Sequence, residues 1–388
     1  MLTTSAITMT ALPILQSFAL ANKINEIQLG QAKFFSTIFN GTAMILLNGR
    51  AGRLGVDKIV KRNQFLHGYL LVLPLFCIAL CLMANDIQPI VFFFIFTLGW
   101  IIYGVINGYW TIINSRLQAY LFMPEKYGIV FGISGLVNYF ASAAVSFFIM
   151  SLLTPDRGTL GFGIIFGASL LFGIITIITS GKLTPVYKAK TVDGPVSPPS
   201  WRKMVKNKQT ALILAVHLIR GLNSGIYYFI IPIGFRYFAL SQADIGMVTF
   251  LGAVAGAAAY FGISIWLDKI GEIKMSLLSL ALEIVSIVPL LFFRGTGMFM
   301  MMYLLFNIGN MALAQIIPIG ILKTSPVERI AFITAFRLVI LMLADAVTSV
   351  AVSGFLEFFG FLLIAMCVLK IVKGVLIIFA FRKKGELN

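Results

Sequence analysis

Residues 266–274, "WLDKIGEIK", set Asp268, Lys269, Glu272 and Lys274 within seven positions of a chain that is 59% hydrophobic and only 11% charged. A second such island, "RLGVDKIVKR" at 53–62, lies 211 positions earlier, counted from aspartate to aspartate. Soluble domains carry about 25% charged residues, spread over their surface. Here the charges are confined to short stretches between long apolar runs. Mean hydropathy is +0.97, with 35 Phe and 14 acidic residues in 388 positions. Such a chain is a membrane protein.

Apolar runs of roughly 20 residues, each long enough to cross a ~30 Å hydrocarbon core, predict helices, because a lipid-exposed strand satisfies its backbone only in a closed barrel. The alternation that marks barrel strands is missing. Twelve spans are expected, at 2–21, 29–47, 64–84, 90–113, 127–152, 160–180, 210–234, 243–267, 275–293, 298–322, 331–356 and 359–381. Residues 181–209, rich in Pro and Lys, are expected to form a linker between a half at 1–180 and a half at 210–388.

The net charge of +16 invites a nucleic-acid reading, which its distribution removes. Twenty-one Lys and Arg fall on the linker side of the spans and four on the other: Lys23, Arg157, Arg236 and Arg294. This is the positive-inside pattern, so the linker and both termini are expected in the cytoplasm, and no nucleic-acid partner is expected. No basic leader precedes the first span, which is therefore read as a permanent helix rather than a cleaved signal. Cys77, Cys81 and Cys367 lie inside apolar spans and act as small hydrophobes.

The two islands occupy equivalent places, between the second and third span of each half. Pro124 and Pro326, 202 apart, both join a fourth span to a fifth, and Asn107 and Asn310, 203 apart, lie in the two fourth spans. Parallel repeats joined by a basic linker build one large class of secondary transporters. On these features the chain resembles the major facilitator superfamily over essentially its full length. The family's loop signature is matched by Gly52, Leu54, Asp57, Lys58, Lys61 and Arg62, with one residue inserted before Asp57 and Val60 in place of a Gly. Asp268, Lys269, Gly271 and Lys274 match it again in the second half. The resemblance implies twelve helices in two pseudo-symmetric halves. It also implies a cytoplasmic gate, in which Asp57 meets the start of the eleventh helix near Arg329 and Asp268 that of the fifth near Lys126. A helix N-terminus stabilises such an aspartate by about 0.3–1 kcal/mol. Topological charge alone is the alternative for these residues.

Polar groups inside the membrane are costly, so each is a functional candidate. The fourth span aligns Trp100, Tyr103, Asn107, Trp110 and Asn114 at spacings of three and four, hence on one face. Indoles and amides suit a polar solute, although such a stripe also serves helix packing. The seventh span repeats the pattern with His217, Arg220, Ser224 and Tyr227, and the tenth with Tyr303, Asn307 and Asn310. Arg220 lies about 15 Å from the cytoplasmic end of its span, near the midplane where transporters bind their solutes. Arg337 and Asp345 lie in the eleventh span. Asp345, about 6 Å above Arg220, is expected to pair with it and to carry a proton, with a static pair as the alternative. Glu283 with Lys370 and Lys373 is expected to tether the ninth and twelfth helices structurally.

No nucleotide loop or zinc-protease motif is present, and neither enzymatic chemistry nor a cofactor is expected. The sequence therefore points to a monomeric transporter in a bacterial cytoplasmic membrane. It would move a small polar solute, anionic or zwitterionic, by proton coupling or exchange. A drug or lipid exporter and a non-transporting sensor or assembly factor are the alternatives. The exporter is disfavoured because "GISGLVNYFASAAV", at 132–145, lacks the Gly-Pro pair that the resemblance would require.

Overall fold

A computed structural model describes residues 2–51, 56–83, 86–121, 127–153, 158–180, 208–324 and 327–381. Among them are fifteen α-helices, two short 3-10 turns and no strand. The first six spans are built from α1 (Leu2–Met9), α2 (Leu12–Ala21), α3 (Glu26–Ala51), α4 (Val56–Leu66), α5 (Tyr69–Met83), α6 (Pro89–Leu121), α7 (Tyr127–Leu152) and α8 (Gly158–Ser180). The last six are built from α9 (Lys208–Tyr227), α10 (Ile230–Tyr237), α11 (Asp244–Ile270), α12 (Glu272–Ile287), α13 (Thr296–Thr324), α14 (Val327–Ser353) and α15 (Phe359–Phe381). Ten of the twelve spans are by themselves long and apolar enough to cross a membrane. The other two are the first, which is interrupted, and α3, which carries Lys33 among its polar residues.

Three spans expected as single helices are broken. Pro13, in the first turn of α2, has no N–H to continue α1. Gly68 separates α4 from α5. Pro232 interrupts the seventh span: it stands four residues after Tyr228, whose carbonyl thereby loses its helical donor. The first and seventh spans hold the same place in the two halves, and such paired interruptions commonly mark the solute path of a transporter. Within residues 266–274, Gly271 turns the chain between α11 and α12 at φ +79°, a conformation that favours glycine.

Within the halves, α3 packs on α6 and α9 on α14; between them, α3 meets α14 and α7 meets α11. The α7–α11 seam interlocks. Tyr139 of α7 lies against Gly256 of α11, and Tyr260 of α11 against Gly135 of α7, with the rings 5.4 Å apart. A side chain at either glycine would collide with the opposing ring. Away from the linker, one continuous core crosses both halves and includes Phe18, Phe96, Phe166, Phe229 and Ile231. Phe18 alone meets Phe92, Phe162 and Phe166 at 5.1–5.5 Å.

Candidate functional site

The break in the seventh span places its residues against the first half. Gln16 of α2 donates from Nε2 to the freed Tyr228 carbonyl at 2.6 Å. The Tyr228 hydroxyl donates to the Leu29 carbonyl of α3 at 3.4 Å, and its ring lies 6.2 Å from Trp100. Over that ring, at 5.4 Å, stands the Lys33 ammonium.

Lys33 pairs with Asp345 of α14 at 2.9 Å. The expected Arg220–Asp345 pair is therefore not formed. Depth explains the difference: Asp345 lies eighteen residues from the start of α14 and Arg220 twelve from that of α9, so they differ by about 9 Å along the membrane normal. Lys33, eighteen residues from the end of α3, lies level with Asp345. A lysine inside the second span, which the sequence reading passed over, is thus the cation of the site. Several buried polar atoms here have no protein partner: Asp345 Oδ1, Gln16 Oε1, Ser17 Oγ and both amide atoms of Asn223. Beyond them, away from the linker, a cleft of about 480 Å³ is lined by Ser17, Glu26, Pro232, Arg236 and Gln242 among others.

The fourth-span stripe divides. Trp100 is buried in the large core, 5.2 Å from Phe96. Tyr103 and Trp110 both meet Tyr69 of α5, at 5.6 and 5.0 Å, and His67 lies 5.6 Å from Trp110, whose Nε1 has no partner. Asn107 accepts at its carbonyl from Thr111, and its side chain is half-buried, as is that of Asn114. In the other half, Asn307 donates from Nδ2 to the Tyr227 hydroxyl and the Tyr303 carbonyl, both at 2.7 Å, and Tyr227 stacks on Phe306 at 4.4 Å. Tyr227, Tyr303 and Asn307 are thus brought together, with Ser224 and Asn310 half-buried on the same helices.

A charged layer runs behind Tyr227. Glu283 of α12 pairs with Lys370 of α15 and stands 3.8 Å from Lys373, all three fully buried. Lys370 also lies 4.5 Å over the Phe306 ring. Arg337 Nη1 lies 3.3 Å from His217 Nε2, and His217 Nδ1 lies 2.9 Å from the Ile213 carbonyl. Arg220 is within electrostatic range of His217, Arg337, Lys370 and Lys373. The expected tether between the ninth and twelfth spans is formed, and both its lysines lie within electrostatic range of Arg220. The side chains of Asp57, Asp268, Arg329 and Lys126, expected at the cytoplasmic gate, lie outside the described residues. Among the described residues, no group of three or more His, Cys, Asp or Glu is placed to hold a metal.

No family model matches the sequence, and no curated protein matches it. Solved structures do resemble the fold. The Escherichia coli fucose:proton symporter FucP superposes with a TM-score of 0.64 at 13% identity, covering 98% of this chain and 95% of that one. The same protein is also described as a major facilitator superfamily transporter. The chain has the major facilitator fold. Two other structures share it: a bacterial homologue of the iron transporter ferroportin, outward-facing, and the human organic anion transporter MFSD10. Their TM-scores are 0.59 and 0.60 at 14% and 13% identity, covering 95% and 98% of this chain and 99% and 95% of theirs. In this chain, Lys33–Asp345 lies on the seam between the second and eleventh spans.

Proposed function

We propose that the protein is a secondary active transporter that moves a small polar solute, anionic or zwitterionic, by alternating access, with coupling to protons or to exchange. One observation carries the reading: Lys33 and Asp345 tie the two halves together by a charge pair inside the membrane. Asp345 Oδ1 and Gln16 Oε1, the latter on the side chain that meets Tyr228 beneath Lys33, have no partner. Interiors satisfy such groups unless water or a ligand does so. That FucP is a proton symporter of the same fold supports the coupling.

In this scheme the pair holds the halves together on the side away from the linker. An anionic group of the solute competes with Asp345 for the Lys33 ammonium. The carboxylate left behind is a buried charge without its partner, and in this scheme a proton takes the place of the ammonium. Solute and proton are then taken up together, and the tie is released. The linker-side gate assigned by resemblance to Asp57, Asp268 and Arg329 belongs to the same proposal, as do cytoplasmic termini and a functional monomer.

Uptake into proteoliposomes tests the coupling. Asp345→Asn is expected to abolish proton-driven accumulation while exchange of internal for external solute continues. Accumulation that persists in Asp345→Asn removes the residue from the mechanism.

A further inference from the structure

The charged layer of the second half is out of balance. Arg220 of α9, Arg337 of α14, Glu283 of α12, and Lys370 and Lys373 of α15 lie about 12–18 Å from the linker-side ends of their helices, so they form one level. Lys370 already matches Glu283, the one carboxylate paired in this layer among the described residues. A buried lysine has a way out of a poor site, because it can give up its proton. A guanidinium does not. Arg220 and Arg337 therefore remain two fixed positive charges, close enough to repel each other, with no carboxylate ion-paired to either among the described residues.

His217, the neighbour bonded to Arg337, supplies a hydrogen bond but no negative charge. His217 Nδ1 faces the Ile213 carbonyl and so carries the proton, which leaves Nε2 to accept from Arg337. The imidazole is consequently neutral. Arg337 is only 8% exposed, and its Nε, which that contact leaves over, has no partner. Arg220 is half-buried. Two uncompensated charges in a low-dielectric interior are costly until an opposite charge arrives. Planar guanidinium forks match oxygens held on a common centre.

We infer that Arg220 and Arg337 receive a doubly charged oxyanion: a phosphate, sulfate or paired-carboxylate group. The inference rests on the transport reading, in that this group belongs to the solute carried. Arg220 and Arg337, the latter held in place by His217, neutralise it together. A singly charged solute leaves one guanidinium unmatched, so the arrangement selects by charge as well as by shape.

Thermal unfolding of the full-length protein in lipid nanodiscs tests the site, with inorganic phosphate, sulfate and succinate compared against chloride and acetate at equal ionic strength. The first three are expected to raise the unfolding midpoint saturably, and the last two to leave it unchanged. Arg220→Gln and Arg337→Gln are expected to abolish the response. Arg220→Lys, which keeps the charge and tests the site should the neutral variants not fold, should weaken phosphate binding roughly ten- to hundredfold, the loss expected for charge-assisted hydrogen bonds. Equal responses to chloride and phosphate, or a phosphate response that survives Arg220→Gln, overturn the assignment. Counterflow in proteoliposomes separates this from the transport reading. Phosphate stabilisation without counterflow of any of these anions keeps the site and removes transport. Counterflow of a neutral or zwitterionic solute, without a phosphate response, keeps transport and removes the oxyanion.

Discussion

Gln16 and Pro232 compensate for one another across the two halves. Proline leaves the Tyr228 carbonyl without its helical donor, and the Gln16 amide takes that place at 2.6 Å. Removing the amide strands a buried carbonyl, so Gln16→Ala is expected to destabilise the fold by about 1–3 kcal/mol. Adding Pro232→Ala, which restores an N–H four residues on, should recover part of that loss in denaturant unfolding; an additive double mutant would contradict the compensation. Lys33 and Asp345 behave in a related way. Lys33→Met leaves a buried carboxylate alone and is expected to cost about 3 kcal/mol, whereas Lys33→Met with Asp345→Asn should unfold close to the parent. At this scale the sequence was only partly readable. The polar residues themselves stood out against their apolar spans, because each is expensive there. Their pairing did not, since it depends on relative depth, and an offset of a few residues in where each helix begins exchanged Arg220 for Lys33 as the partner of Asp345.

Helices were far more legible than contacts. Both α7 and α15 coincide with their expected spans, because apolar length is read directly from composition. The breaks at Pro13 and Pro232 were passed over even though the prolines were in view. A transmembrane helix often absorbs a proline with a mild kink, and only the presence of Gln16 in register with the exposed carbonyl shows that this one interrupts it. The stripe on α6 carries the complementary lesson. Its spacing correctly indicated one helical face, but spacing alone does not say what that face meets. Tyr69, on α5, claims the rings of Tyr103 and Trp110, so at least part of the stripe packs helices together.

Across the whole molecule, the all-helical membrane fold was the most legible feature, since it was written in the length and apolarity of the spans. The seams were not, because they form between residues far apart in sequence. Where α3 meets α14, a Cβ placed on Gly30 would stand 2.8 Å from that of Ser353. With the three native cysteines replaced by Ala, Gly30→Cys and Ser353→Cys are expected to cross-link under mild oxidation and to stop solute exchange, which a reductant should restore. Exchange that continues in the fully cross-linked protein would show that this seam need not open.

The other seam bears on motion in a different way. Tyr139 on Gly256 and Tyr260 on Gly135 act like two teeth cut in opposite directions, one turn apart along antiparallel helices. Axial slippage of either helix would drive a ring out of its notch and into a neighbouring side chain, so the joint resists sliding. Tilting about the line through the two rings leaves both teeth seated. Each helix also contributes one tooth and one notch, so tilting one way strains the joint as much as tilting the other. In the alternating-access scheme proposed above, a bearing of this kind would fix the axis of a rocking motion without favouring either end of it, and any bias towards one facing would have to come from elsewhere in the molecule.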